Sequence, residues 1–196
     1  MESFDQILKF VDLIHQFRAV ERMLLVKDSE RRENDVEHSF SLAMLAWYIN
    51  STYKLGLNTD KLFKYALAHD LVEVFAGDTY FFHKDQSVLD SKQKREEEAA
   101  EILKAKFPEF PELHEIIHEY EKRKDDESKF VYALDKVEPV LSIYRDGGRT
   151  WRKNKVTLDM LKTMKIPKVA IDKNIAKIFQ ELVERLEKEH EVLFNK

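Results

Sequence analysis

Cysteine is absent from the 196 residues, which removes disulfides, thiolate metal sites and cysteine nucleophiles together. Glycine and proline are scarce, at four each against usual frequencies of roughly 7% and 5%. So few chain breakers predict long helices and few tight turns, hence an all-α fold. No uninterrupted apolar run approaches the ~18 residues of a membrane span, and the N-terminus has no signal-peptide layout, so a cytoplasmic protein is expected. An excess of basic charge is lacking too. The net charge of −4 gives no support to a nucleic-acid polymer as partner, although a small anionic ligand needs only a local cationic pocket. What is present is 43% hydrophobic and 36% charged residues, enough for a real core and a solvated surface. One domain over residues 1–196 is expected.

Apolar spacing predicts a first helix from Phe4 to about Leu25, through Ile7, Phe10, Val11, Ile14, Phe17 and Leu24. A second runs from near Asp35 to about Tyr53. Asn58-Thr59-Asp60 offers N-cap chemistry for a third, which carries His69-Asp70 and continues through Glu73. Residues 76–89 have no clean period and read as a long loop, a class that is often functional. Asp90 or Ser91 is expected to cap a charged helix through Lys106. Helices follow over Pro111–Lys124 and from Asp125-Asp126, the latter bearing Asp135 and kinking at Pro139. Gly147-Gly148 stops the chain, Arg149–Lys155 reads as an exposed basic turn with one anchoring tryptophan, and helices around Leu158–Met164 and from Pro167 to about Phe194 finish it.

Ionisable residues inside apolar helices stand out against this background. His69, Asp70 and Glu73 lie in the segment Leu62–Phe75; His38 opens the apolar run Phe40–Ile49; Asp135 sits within Phe130–Val137. Each costs several kcal/mol in a core unless paired or bound to a cation. One such residue alone is more often a satisfied core group, and an HD dipeptide alone means little. The combination on three helices points to a mixed nitrogen and oxygen metal site of His38, His69, Asp70 and Asp135. Imidazole with carboxylate suits Mn²⁺, Co²⁺, Fe²⁺, Zn²⁺ or Mg²⁺, and four ligands leave open positions for water and substrate. A competing motif, His114-Glu115-Ile116-Ile117-His118, matches the zinc-protease H-E-x-x-H with Glu138 downstream. Leu113, Ile116, Ile117 and Tyr120 define the buried stripe of that helix, so both histidines are expected beside it, toward solvent.

The spacing His38 … His69-Asp70 … Asp135 resembles the HD-domain metal-dependent phosphohydrolases. The strings Asp35-Val36-Glu37-His38-Ser39 and His69-Asp70-Leu71-Val72-Glu73-Val74-Phe75-Ala76-Gly77-Asp78 resemble the branch of the bacterial 5′-deoxynucleotidases and the eukaryotic HD-domain-containing protein 2. Lys94–Ala99 and Leu134–Pro139 fit as well, so the likeness spans most of residues 15–145, with helices 156–194 expected to pack on that core. The resemblance implies a helical homodimer that releases phosphate from 5′-deoxynucleoside monophosphates with one Co²⁺ or Mn²⁺ (Zn²⁺, Fe²⁺, Mg²⁺ or Ni²⁺ as alternatives). His38, His69, Asp70 and Asp135 would be ligands, and Glu73 and Asp78 catalytic or substrate-contacting. An arginine near the first helix would face the phosphate, Arg22 first and Arg18 second. Members carry a tryptophan directly after that arginine, near the sugar; this chain has Met23.

The expected mechanism is phosphomonoester hydrolysis, in which Glu73 orients or deprotonates water and Arg22, with Lys84, offsets charge on the phosphoryl oxygens. Asp78 would contact the sugar or assist the leaving oxygen. Hydrolysis of another ester (a ribonucleotide, a guanosine polyphosphate, a phosphonate) and a non-catalytic helical module stabilised by its metal are the alternatives.

Overall fold

Short polar side chains start the main helices. Asn34 accepts from the Glu37 amide while Glu37 reaches back to the Asn34 amide, opening α2 (Asp35–Thr52). Asn58 opens α3 (Thr59–Ala68) by accepting from the Asp60 and Lys61 amides, as side-chain oxygens that reach the first free amides do. The structure is a computed structural model that describes residues 3–78, 87 and 91–194. Among these, α1 (Phe4–Arg18), α4 (Glu73–Ala76), α5 (Lys92–Lys106), α6 (Pro111–Lys122), α7 (Asp126–Arg145), α8 (Arg149–Asn154), α9 (Leu158–Val169), α10 (Lys173–Lys188) and α11 (His190–Leu193) complete the helices. No described helix is long and apolar enough to cross a membrane.

The expected all-α class holds, with one small exception. Residues 19–25 do not prolong α1: β1 (Glu21–Leu25) pairs antiparallel with β2 (Arg32–Asn34). Leu24 and Leu25 are buried there, and the pairing supplies backbone partners that a frayed helix end would lack. α3 likewise ends at Ala68 rather than running through Glu73. His69 is its cap, and the Leu71 and Glu73 amides bond three residues back, to the carbonyls of Ala68 and Asp70. The last expected helix, Pro167 to about Phe194, is divided among the end of α9, α10 and α11. Pro167 lies within α9, and Asp172 caps α10 through the amides of Asn174 and Ile175. Arg149–Asn154 is a helix, not an open turn, and its Trp151 is buried in a stack on Phe194, 4.7 Å between centroids.

α7 forms the centre. Phe130, Val131, Ala133, Leu134 and Val137 are fully buried, with α2, α3, α6, α9 and α10 packed around them. It runs past Pro139 without a break.

Candidate metal centre and its cavity

α2, the end of α3 and α7 bring His38, His69, Asp70 and Asp135 together, with one ligand atom from each within 4.8 Å of all the others. His38 Nε2 lies 3.1 Å from Asp135 Oδ1 and 3.9 Å from Asp70 Oδ2. His69 Nε2 lies 3.1 Å from Asp70 Oδ2 and 3.8 Å from Asp135 Oδ1. Both rings are turned by their other nitrogen. His69 Nδ1–H donates to the Ala66 carbonyl at 3.1 Å, and His38 Nδ1–H to Glu138 Oε2 at 3.0 Å. A carbonyl only accepts, so Nδ1 of His69 carries a proton, and the neutral ring presents its Nε2 lone pair toward carboxylate oxygens. That atom is buried with no hydrogen-bond partner among the described residues. Lone pairs converging on carboxylates in a buried place need positive charge between them, and the donor set fits one divalent ion.

The electrostatics agree. Burial depresses the His69 pKa, but Asp70 and Asp135 outweigh it and raise the imidazole to about 10. Burial raises Asp70, yet His69 holds it below its ordinary value. The cluster favours bound cation, and a metal takes that place by displacing protons.

Glu73 starts α4, with its carboxylate buried beside Asp70 and Asp35. Oε1 faces Lys92 Nζ at 3.6 Å, and Oε2 has no hydrogen-bond partner among the described residues. Burial, then Asp70 and Asp78, raise its pKa well above the usual carboxyl value. Asp78 borders the same cavity, its pKa raised by burial. Arg22 reaches the cluster from β1. Its Nη1 lies 3.1 Å from both Asp35 Oδ1 and Asp70 Oδ2, and its Nε 3.5 Å from Glu33. Arg18 does not reach it: the last residue of α1, it is exposed and absent from the cavity wall. Lys84 lies outside the described residues. In α6, Leu113, Ile116, Ile117 and Tyr120 are buried as expected, His118 is exposed, and His114 donates to the Phe107 carbonyl at 2.7 Å.

The cavity extends from this cluster to a second wall. Met23 and Leu24 of β1, Pro139, Val140 and Ile143 of α7, and Trp151 and Leu161 line it, with Lys92, Lys136 and Lys165 contributing charge. Lys136 pairs with Asp135 Oδ2. Sequence reasoning does not single out Lys92, Lys136, Lys165 or Trp151 as site residues. It also misses Asp35, Glu33 and the role of Glu138, which belongs to His38 rather than to the α6 histidines. Burial raises Asp35 to about 6 and Glu33 to about 7. Asp35 and Glu33 flank the α2 start, where acidic residues are unremarkable, so no local signal distinguishes them.

An HD domain family model matches residues 14–182. The chain is similar to "5′-deoxynucleotidase HDDC2" of Homo sapiens, 34% identical over 145 residues that make up 71% of this chain and 69% of the relative. A Magnetospirillum magnetotacticum structure described as a predicted metal-dependent phosphohydrolase superposes with a TM-score of 0.79 at 28% identity, covering 95% of this chain and 96% of that one. A Pyrococcus horikoshii protein shares the fold, with a TM-score of 0.67 at 22% identity over 93% and 99% of the two chains.

Proposed function

The chain belongs to the HD domain family of phosphohydrolases, and we propose that it releases phosphate from 5′-deoxynucleoside monophosphates, with one divalent ion on His38, His69, Asp70 and Asp135. The observation that carries this reading is the charge around the cavity. Arg22, Lys92 and Lys136 border the same cavity as the proposed ligands Asp70 and Asp135. A divalent ion on the cluster would add two positive charges beside these basic groups, which a phosphate monoester dianion neutralises. Such an ester carries close to two charges at neutral pH.

When bound, the ion supplies Lewis acidity toward a phosphoryl oxygen and acidifies water; Mn²⁺ or Co²⁺ is the expected kind. Asp35, Asp70 and Glu33 hold the Arg22 guanidinium at the edge of the cluster, placed to meet phosphoryl oxygens with a planar fork of donors. Glu73, buried and with one carboxylate oxygen unpaired among the described residues, orients the attacking water and takes its proton. A raised pKa suits that work near neutrality. Asp78 contacts the sugar or the leaving oxygen. Met23, next to Arg22 on the cavity wall, bears on the sugar.

Phosphate release from dNMPs, NMPs, NTPs and ppGpp with Mn²⁺ or Co²⁺ tests this. Deoxynucleoside monophosphates are expected to turn over fastest, and the NMP arm reads how far Met23 tolerates a 2′-hydroxyl. Metal binding with EDTA-sensitive melting but no phosphate released from any ester would leave only a metal-stabilised module. A homodimer belongs to the same reading. Phe40, Met44, Trp47 and Tyr48 are exposed along α2, with Leu67 of α3, and apolar patches of that kind usually mark an interface. Sedimentation is expected to give a dimer for the wild type and a monomer for Trp47→Glu; a monomeric wild type refutes it.

A further inference from the structure

Away from the ion cluster the cavity wall is largely aliphatic, with Leu24, Val140, Ile143 and Leu161 bordering it. Trp151 is the one aromatic side chain among the described residues that line it. Its helix, α8, has only six residues, too few to hold its shape unaided, and it is fastened on two sides. Toward β1, the neighbouring Thr150 hydroxyl accepts from the Leu25 amide at 3.1 Å, a buried bond to the strand that carries Arg22. Toward the end of the chain, Phe194 stacks on the indole with only 12° between the ring planes. Arg152 donates to the Val192 carbonyl at 2.8 Å. The start of α8 lies so close to α11 that a Cβ on Gly148 would stand 2.1 Å from the Leu193 carbonyl oxygen. Phe194 thus takes one face of the indole, and the ring meets the cavity with what remains. A phosphate held by the ion cluster and Arg22 leaves the rest of the ester to this wall, where a flat ring is the natural complement to another.

We infer that Trp151 is a specificity-determining residue that stacks on the base of the nucleotide, and that Phe194 is a positioning residue acting through it. The class of ligand rests on the function proposed above.

Trp151→Leu keeps the wall apolar and removes the ring. KM for a deoxynucleoside monophosphate is expected to rise about tenfold, within the usual worth of a base stacked on an aromatic side chain, while kcat changes less than about threefold. Affinities for inorganic phosphate and for Mn²⁺ should stay within about twofold of wild type, and Trp151→Phe should recover part of the loss. Phe194→Ala should raise KM about threefold alone and add nothing in the Trp151→Leu background. A Phe194 that served only stability would lower the melting temperature in both backgrounds and leave KM unmoved. A spectroscopic reading needs no variant of α8. The chain has two tryptophans, so in Trp47→Phe/Glu73→Gln the indole of Trp151 reports alone. With Mg²⁺, a deoxynucleoside monophosphate should quench its emission and inorganic phosphate should not. Unchanged KM in folded Trp151→Leu, or emission that the nucleotide leaves untouched, overturns the inference, and the proposed function stands as long as the wild type releases phosphate. Quenching by a nucleotide that the wild type does not hydrolyse overturns only that function.

Discussion

Two walls face each other across the cavity, built on opposite principles. On the wall from α2, α3 and α7, ionisable groups are wired to partners. Ser142 donates to Glu138 at 2.7 Å, Glu138 receives His38 Nδ1–H, His38 Nε2 meets Asp135, and Asp135 meets Lys136. On the wall from β1, α8, α9 and residues 139–143 of α7, carbon dominates apart from Arg22 and Lys165. Leu24, Trp151 and Leu161 face inward, and the Thr150 hydroxyl already accepts from the Leu25 amide. Directional bonds fix atoms to tenths of an ångström, which an ion demands. Carbon contacts are graded and tolerate changes of shape, which suits the variable part of a substrate. One wall sets whether there is chemistry, the other which molecule receives it.

The sharpest contrast lies within the first wall. Asp70→Ala is expected to abolish metal binding and turnover together, because Asp70 Oδ2 is the carboxylate oxygen nearest His69 and also anchors Arg22. Glu73→Gln should keep the metal while losing about 10²–10⁴ in rate, the usual contribution of a positioned base. Metal analysis beside single-turnover phosphate release separates the two. A Glu73→Gln enzyme at wild-type speed would strip Glu73 of its role.

One step back from the ion, the effect should shrink. Glu138→Ala removes the group that turns His38, and Mn²⁺ affinity is expected to fall roughly 10- to 100-fold. Glu138→Gln should lose less, because its amide oxygen still accepts from His38 Nδ1–H. Competition for Mn²⁺ against a chelator of known affinity measures both. Equal affinities in wild type and Glu138→Ala would mean that packing alone orients the ring.

The same division decides what can be read from residues alone. His38, His69, Asp70 and Asp135 are legible because each breaks its local pattern, an ionisable side chain where the helix asks for an aliphatic one. The N-caps at Asn58 and Asp125 are legible for the complementary reason, that local geometry suffices for them. Arg22 is legible only by likeness to a family. Its strand depends on the pairing Glu21↔Asn34 across thirteen residues, while the segment itself has apolar spacing compatible with a helix. Glu73 is reached for a partly mistaken reason: it shares a face with His69 on a continuous helix in the sequence, but the turn bonded three residues back delivers it to the cluster. Lys165 is invisible, since a lysine beside Lys162 and Lys168 on a short helix ordinarily lies on the wet side.

The smallest expected effect concerns the motif that matches a metalloprotease. His114 and His118 stand four apart on α6, yet they share no buried pocket: one is spent on the Phe107 carbonyl and the other is exposed. The neighbouring carboxylate at Glu138 is committed to His38 and Ser142. Replacing both histidines by alanine should therefore leave Mn²⁺ affinity and phosphate release at wild-type values. It should lower stability by about 1 kcal/mol for the lost His114 bond, measured by urea unfolding. Loss of bound metal in that double variant would move the centre from α2, α3 and α7 to α6, and the contrast between the two walls would go with it.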